Sequence, residues 1–424
     1  MTFTSQHALQ YRKQYPGLSR TLDGQEVVFF DGPAGTQVPQ CVADAMSHYL
    51  LHLNANTHGG FATSDESDRL IEDARQAMAD FVGATDRREI VFGQNMTSLT
   101  FAFSRALART WSAGDEIIVT ALDHDANIAP WMLAAEDSGV KVHRIRFRDD
   151  DFALDMDEFR SRLNDRTQLV AVGCASNASG GVNPVKETCS LAREVGAKTF
   201  LDAVHYGPHG LIDVTDWGCD FLCCSTYKFF GPHLGVMWGR AEHLENLTPY
   251  KVRPSSDEIP DRWMTGTQSH ESIAGALACV DYLADIGREL SGDRDLERRS
   301  ALVAAFEGIR DYEQQLSLRL IEGLKAIDGI TIYGIDDASR LSERFPTISI
   351  THRDVPSSRL AAELAQRGIF VWSGNYYALQ FTTDLGLEPE GMVRIGLVHY
   401  NTDDEIDRLM SAIREIAASG AAVG

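Results

Sequence analysis

From about residue 29 to residue 240 the chain alternates short β-branched runs with amphipathic helical patterns, and no other feature narrows its possible folds so far. Parallel strands need a crossover, usually a helix, before the chain can pair again, so this alternation marks a mostly parallel sheet covered by helices. Strand-like runs fall at residues 89–92, 116–120, 142–147, 169–175, 199–202 and 220–225. The helical pattern is clearest over residues 66–82, where Leu70, Ile71, Ala74, Met78 and Phe81 share one face and Gly83 supplies the stop. Asp155 followed by Glu158, and Asn183 ahead of Pro184 in a first-turn position, mark two further helix starts.

From about residue 291 a long helical pattern leads into shorter strands at residues 330–333, 347–350, 369–372 and 393–398. A helix is expected near residues 358–366, and a last one capped by Thr402 and Glu405. The class is therefore α/β. A large domain is expected over residues 28–290 and a smaller α+β domain over residues 291–424, with residues 1–27 packing on the small domain. A chain of 424 residues can bury two such cores.

The formal net charge of -22 disfavours nucleic acid and anionic membrane surfaces as partners, because both repel an acidic protein. No window approaches about 18 uninterrupted apolar residues, and the first residues lack a basic stretch followed by an apolar run, so a cytoplasmic location is expected. Its seven cysteines (Cys41, Cys174, Cys189, Cys219, Cys223, Cys224 and Cys279) are odd in number, and several lie in apolar strand-like runs. They read as buried thiols. Cys219, Cys223 and Cys224 cluster, but no second cysteine or histidine pair follows at a zinc-ligand spacing, so no metal site is expected.

The stretch richest in chemistry is Ser225-Thr226-Tyr227-Lys228-Phe229-Phe230-Gly231-Pro232-His233-Leu234-Gly235. Lys228 stands just past an apolar strand and before a turn rich in glycine and proline. Open α/β sheets place ligands at strand ends, and a lysine amine of lowered pKa can condense with an aldehyde. Glycines let a backbone approach a bulky cofactor closely. The same lysine could equally be an exposed residue after a strand. Asp202 alters that balance, because it ends the preceding strand-like run. A carboxylate there could pair with a pyridinium nitrogen and keep an electron-accepting ring protonated. A loop or cap aspartate is the plainer alternative.

Together these residues resemble the class V aminotransferases of fold type I, and within them the cysteine desulfurase-like proteins. The resemblance runs from about residue 28 to residue 409, with several motifs in family order at family spacing. It implies pyridoxal 5'-phosphate (PLP) held as a Schiff base on Lys228, with Asp202 at the ring nitrogen. Leu122-Asp123-His124-Asp125-Ala126-Asn127-Ile128-Ala129-Pro130-Trp131 is similar to the segment whose histidine stacks on the ring, which gives His124 that role. Ser176-Asn177-X-X-Gly180 puts Asn177 at the ring hydroxyl.

Asn95-Met96-Thr97-Ser98, opening a helix, is similar to the phosphate-binding turn. Of the family's usual Gly-Thr-Thr only Thr97 is kept, so Asn95 and Met96 would contact phosphate through the backbone. Ser225 would add a hydroxyl. Gly266-Thr267 resembles the segment that reaches the same phosphate from a second subunit, which implies a homodimer with shared active sites and assigns Thr267 to the partner's cofactor. Arg394, within Val393-Arg394-Ile395-Gly396-Leu397, falls on the arginine that grips the α-carboxylate of a small amino-acid substrate.

The chain departs from the family pattern at three places. His205 follows Asp202 where glutamine is usual, a feature that resembles the epimerase-like and lyase-like branches, and it is expected near the cofactor ring. Tyr227 replaces the histidine that usually precedes the lysine. The loop Trp372-Ser373-Gly374-Asn375-Tyr376-Tyr377-Ala378 takes the place of the persulfide-forming cysteine and carries Tyr377 there; no cysteine follows Cys279. Tyrosine is a poor replacement for a thiolate at neutral pH. Tyr376 and Tyr377 therefore read as lining the substrate pocket, shuttling a proton or simply packing.

The implied function is chemistry at the α-carbon of a small amino acid, with β-elimination or C–S cleavage without a protein persulfide as the leading expectation. Transamination and racemisation or epimerisation begin with the same proton abstraction. A catalytically silent PLP-binding scaffold is the alternative of a different class, and it would not need Lys228, Asp202, His124 and Arg394 together.

Overall fold

The computed structural model describes residues 2–420, so Met1 and residues 421–424 of the expected segments lie outside the described residues. Its main sheet has seven strands in the order Ile90–Gly93, Gly235–Gly239, Phe221–Ser225, Lys198–Asp202, Thr167–Gly173, Glu116–Thr120 and Lys141–Ile145. Gly235–Gly239 runs against both its neighbours, and the remaining pairs are parallel. Every residue of Phe221–Ser225 and Gly235–Gly239 is buried. A strand covered on both faces has no wet side, which is why these stretches carry no polar alternation.

Register then decides where chemistry collects. Gly173 stands opposite Asp202, and Asp202 opposite Cys223, so the C-terminal ends of three neighbouring parallel strands finish at one edge. The antiparallel strand Gly235–Gly239 was not anticipated from the sequence, which presented Gly235 as the end of a turn. Its first residue pairs with both Gly93 and Ser225. A Cβ on Gly235 would lie 2.5 Å from the carbonyl carbon of Asn95 and 2.7 Å from its Cα, so a side chain there would push away the start of the helix Met96–Ala108. Gly180 is similarly constrained, with φ of 76° and a Cβ position 2.4 Å from the Thr347 carbonyl oxygen.

The second sheet has the order Ile330–Tyr333, Thr347–His352, Met392–Gly396 and Trp372–Gly374, antiparallel throughout. The single strand expected at residues 369–372 is in fact two. Ile369–Phe370 pairs in parallel with Val28–Phe29, and the chain then enters the antiparallel sheet at Trp372. A continuous apolar run carries no mark of such a change of partner.

The helix expected at residues 66–82 begins earlier and spans Ala62–Val82, because Phe61 at its N-cap offers no side-chain cap to signal the start. Leu70 is only partly buried, whereas Ile71, Ala74, Met78 and Phe81 are in the core. Gly83 ends it with φ of 73°. Asp155 accepts from the N–H groups of Asp157 and Glu158 as a cap should. Asn183 does not cap: the helix Val185–Glu194 starts after Pro184, and Asn183 Nδ2 donates instead to the Gly173 carbonyl at 2.7 Å. At the last helix, Thr402 N–H donates to Glu405 Oε2 at 3.0 Å and Glu405 N–H to Thr402 Oγ1 at 3.4 Å.

Ahead of the first sheet strand, Arg12 bridges to Glu405 at 2.8 Å and Phe3 packs on Tyr312 with ring centroids 5.2 Å apart. No described helix is long and apolar enough to cross a membrane, and among the described residues no group of three His, Cys, Asp or Glu is placed to hold a metal ion.

Candidate active site

A cavity opens where the strand ends meet, and its walls come from segments far apart in sequence. The floor is supplied by Asp202 and Ser225, the last residues of their strands, together with Lys228 one turn further on. Asn95, Met96 and Thr97 line it at the opening of the helix Met96–Ala108, and His124, Asn177 and His205 line it from three loops. Tyr376, Tyr377 and Arg394 stand behind or beside this wall: Arg394 Nη1 donates to the Asn177 carbonyl at 2.9 Å, and Asn177 Nδ2 donates to the Tyr376 carbonyl at 2.9 Å. Thr267 lies apart, in a different hollow with Gln94, Ser98 and His233.

Lys228 Nζ donates to the carbonyls of Pro33 at 2.5 Å and Ala34 at 3.1 Å, and sits 4.9 Å from the centre of the Tyr227 ring. Burial pulls its pKa down to about 7; the Arg394 charge adds to this and Asp202 opposes it. Asp202 accepts from Val204 N–H at 2.8 Å, and burial raises its pKa to about 6 despite that bond and the nearby lysine. It is a carboxylate short of a cationic partner. His124 accepts from Ala126 N–H through Nδ1 at 3.0 Å, which places its own proton on Nε2. Burial, Lys228 and Arg394 lower its pKa to about 4, so the imidazole is neutral and presents a flat π face.

Arg394 is buried, with its guanidinium 4.3 Å from the centre of the Tyr376 ring. Burial lowers its pKa to about 10, which leaves it charged at neutral pH. Met96 N–H donates to Ser225 Oγ at 3.1 Å, so one of the backbone donors expected for an anion is shared with that hydroxyl. Asn95 caps the helix by accepting from Ser98 N–H at 2.9 Å.

Asp123 also lines the cavity, though sequence reading passed over it in favour of its neighbour His124. It accepts from Thr120 Oγ1, Gly173 N–H and Asn127 Nδ2 at 2.9, 2.8 and 2.9 Å, tying the ends of two adjacent strands together. Burial, with a contribution from Asp202, pushes its pKa up to about 7. The only local sign of this role is the spacing Thr120-X-X-Asp123, which sequence alone cannot tell from an ordinary turn.

The profile of the family Aminotransferase class-V matches residues 28–409. The chain belongs to this family. Among curated relatives, the cysteine desulfurase of Pectobacterium carotovorum subsp. carotovorum (strain PC1) is 30% identical over 420 residues, covering 96% of this chain and 97% of its own. A probable cysteine desulfurase of Vibrio cholerae serotype O1 is 31% identical over 423 residues, covering 95% of this chain and 97% of its own. The apo structure of a cysteine desulfurase from Thermococcus onnurineus NA1 superposes with a TM-score of 0.86 at 26% identity, over 97% of this chain and 98% of that one. This class V aminotransferase is accordingly a PLP-dependent enzyme of fold type I.

The side chains of the cavity fit that cofactor. Asn177 Oδ1 and His205 Nε2 are buried without a hydrogen-bond partner, and the hydroxyl and other polar substituents of a pyridine ring would supply one. Asp202 lacks the cation that a protonated ring nitrogen provides. Lys228 offers an amine already close to neutral. The rate at which apoprotein captures added PLP should therefore rise through about pH 7 and level off, because the neutral amine is the nucleophile and its pKa is lowered from 10.5. Stopped-flow absorbance over a pH series measures this. A rate still climbing toward pH 10.5 with no break near 7 would contradict the depressed lysine.

Proposed function

We propose that this enzyme cleaves the C–S bond of cysteine or a small cysteine derivative by β-elimination, releasing sulfide or a thiol to solution without passing through a protein persulfide. The observation that carries the reading is the placement of the thiols. No cysteine lines the cavity; six of the seven are buried and Cys41, the exposed one, lies on the helix Gln40–His48. Burial raises the pKa of Cys189 to about 11 and moves that of the other five buried thiols, Cys174, Cys219, Cys223, Cys224 and Cys279, upward as well. Protonated thiols are poor nucleophiles. The relatives named as cysteine desulfurases support sulfur-bearing substrates as a class.

In this reading Lys228 and Asp202 would hold the cofactor at its aldehyde and ring nitrogen, His124 would meet its ring, Asn177 and His205 would take its polar substituents, and Asn95, Met96, Thr97 and Ser225 would receive its phosphate. Bound PLP supplies the electron sink for charge that develops at the substrate Cα. Arg394 turns toward the substrate α-carboxylate, which its planar fork matches in two parallel hydrogen bonds. Lys228, with an amine that is neutral for part of the time at pH 7, takes the Cα proton and can return it to the departing group. Net, cysteine and water give pyruvate, ammonia and hydrogen sulfide. Thr267 completes the phosphate site of a second copy in a cytoplasmic homodimer.

Product analysis with cysteine tests the proposal. Sulfide, pyruvate and ammonia should accumulate in equal amounts with no label trapped on protein cysteines. Alanine formed in step with a persulfide on any of the seven would overturn it. Turnover that yields a keto acid with retained sulfur, or the other enantiomer, would instead identify transamination or epimerisation, which share the first proton transfer.

A further inference from the structure

Tyr376 and Tyr377 adopt left-handed backbone conformations one after the other, with φ of 55° and 62°. Aromatic residues rarely do so, and two in succession persist only where the surroundings hold them. Here they are held at both main-chain carbonyls. The Tyr376 carbonyl accepts from Asn177 Nδ2 at 2.9 Å and the Tyr377 carbonyl from Asp125 N–H at 2.7 Å, so consecutive residues are tied to two separate loops of the cavity wall. The Tyr376 hydroxyl donates to the Met392 carbonyl, and its ring lies under Arg394 at 4.3 Å. Tyr377, although 72% exposed, lays its ring on one face of His124 with centroids 5.2 Å apart and planes 21° from parallel, and of the two only His124 lines the cavity.

We propose that Tyr377 is a positioning residue, an outer plate that fixes the His124 imidazole in the orientation that meets the cofactor, and that Tyr376 locks the loop carrying it. The segment then works as a fixed clamp and not as an arm that swings into the site. The proposal rests on the reading that His124 lies against the cofactor ring. Its neutral imidazole would be sandwiched between two π-systems, and loss of the outer one frees the ring to rotate away from the inner one. The exposed position of Tyr377 means that its side chain can be removed without opening the core.

The test uses purified holoenzyme and two readouts independent of turnover: the equilibrium affinity for PLP and the visible circular dichroism of the bound cofactor. Tyr377→Ala should weaken PLP binding by about 3- to 10-fold, the range for a single aromatic stack, and diminish the dichroic band. Tyr377→Phe should behave as wild type, since the ring and not the hydroxyl makes the contact. In a His124→Ala background, Tyr377→Ala should add nothing further. Wild-type affinity and dichroism in Tyr377→Ala, beside a His124→Ala variant that is clearly impaired, would overturn the clamp while sparing the His124 assignment. A His124→Ala variant with undisturbed PLP binding would overturn both. Failure of Tyr377→Phe to match wild type, or multiplying effects in the double variant, would also sink it.

Discussion

Lys228→Ala should lose its amino-acid chemistry by about 10⁴-fold or more and should lack the pH-sensitive yellow absorbance of the wild-type holoenzyme, while remaining folded. The side chain supplies both the nucleophile that fixes the cofactor and the base that moves the substrate proton, and no other lysine lines the cavity. The structural cost is smaller. Removing Nζ leaves the carbonyls of Pro33 and Ala34 without that donor, a loss on the order of 1–3 kcal/mol if water cannot replace it. Absorbance titration with PLP, circular dichroism and thermal melting separate these effects. An unchanged absorbance band with full activity would refute the lysine assignment, and collapse of the far-ultraviolet signal would show instead that the lysine is structural.

The second large effect is expected at Asp202. Asp202→Asn should still bind PLP but slow exchange of the substrate Cα proton by on the order of 10²-fold or more, because the neutral amide cannot keep the ring nitrogen protonated. A carboxyl whose pKa burial has lifted to about 6 is under strain as a lone anion, and a cation delivered to it restores the charged form. Amide and carboxylate are nearly the same size, so the packing under the ring is preserved. Exchange of the α-proton in deuterated water, followed by proton magnetic resonance with a panel of small amino acids, measures the step apart from product release. Exchange within a few-fold of wild type would rule out the charge pairing.

The parts of this protein that could be read from sequence are those whose physics is local. The buried strands of the main sheet carry it in their composition, and Glu116–Thr120 matches its expected limits. Lys228, Asp202, His124, Asn177 and His205 were picked out by position near strand ends or by motif, and one cavity gathers all five. What escaped depends on partners distant in the chain. Asp123 was invisible because its task is to join Thr120 to Gly173. Residues 369–374 change sheets within one apolar run, and their side chains say nothing of the backbone they meet. Gly235 was noticed as a turn residue, while its reason for being glycine, the backbone of Asn95 pressed against it, exists only in three dimensions.

Residues 28–36 run from the neighbourhood of the second sheet to the stretch that carries the reactive amine. At one end Val28 N–H donates to the Gly368 carbonyl, Phe30 N–H to the Phe370 carbonyl, and Gly396 N–H to the Phe30 carbonyl, at 2.8, 2.9 and 2.8 Å. At the other, Thr36 N–H donates to the Tyr227 carbonyl at 3.1 Å and Phe230 N–H to Thr36 Oγ1 at 2.8 Å. The carbonyls of Pro33 and Ala34 that receive Lys228 Nζ sit midway along this span. The carbonyls that receive Lys228 Nζ thus belong to a segment bonded on one side to residues of the second sheet and on the other to the stretch that carries the lysine, so the position of the amine depends on both sheets and not on one alone.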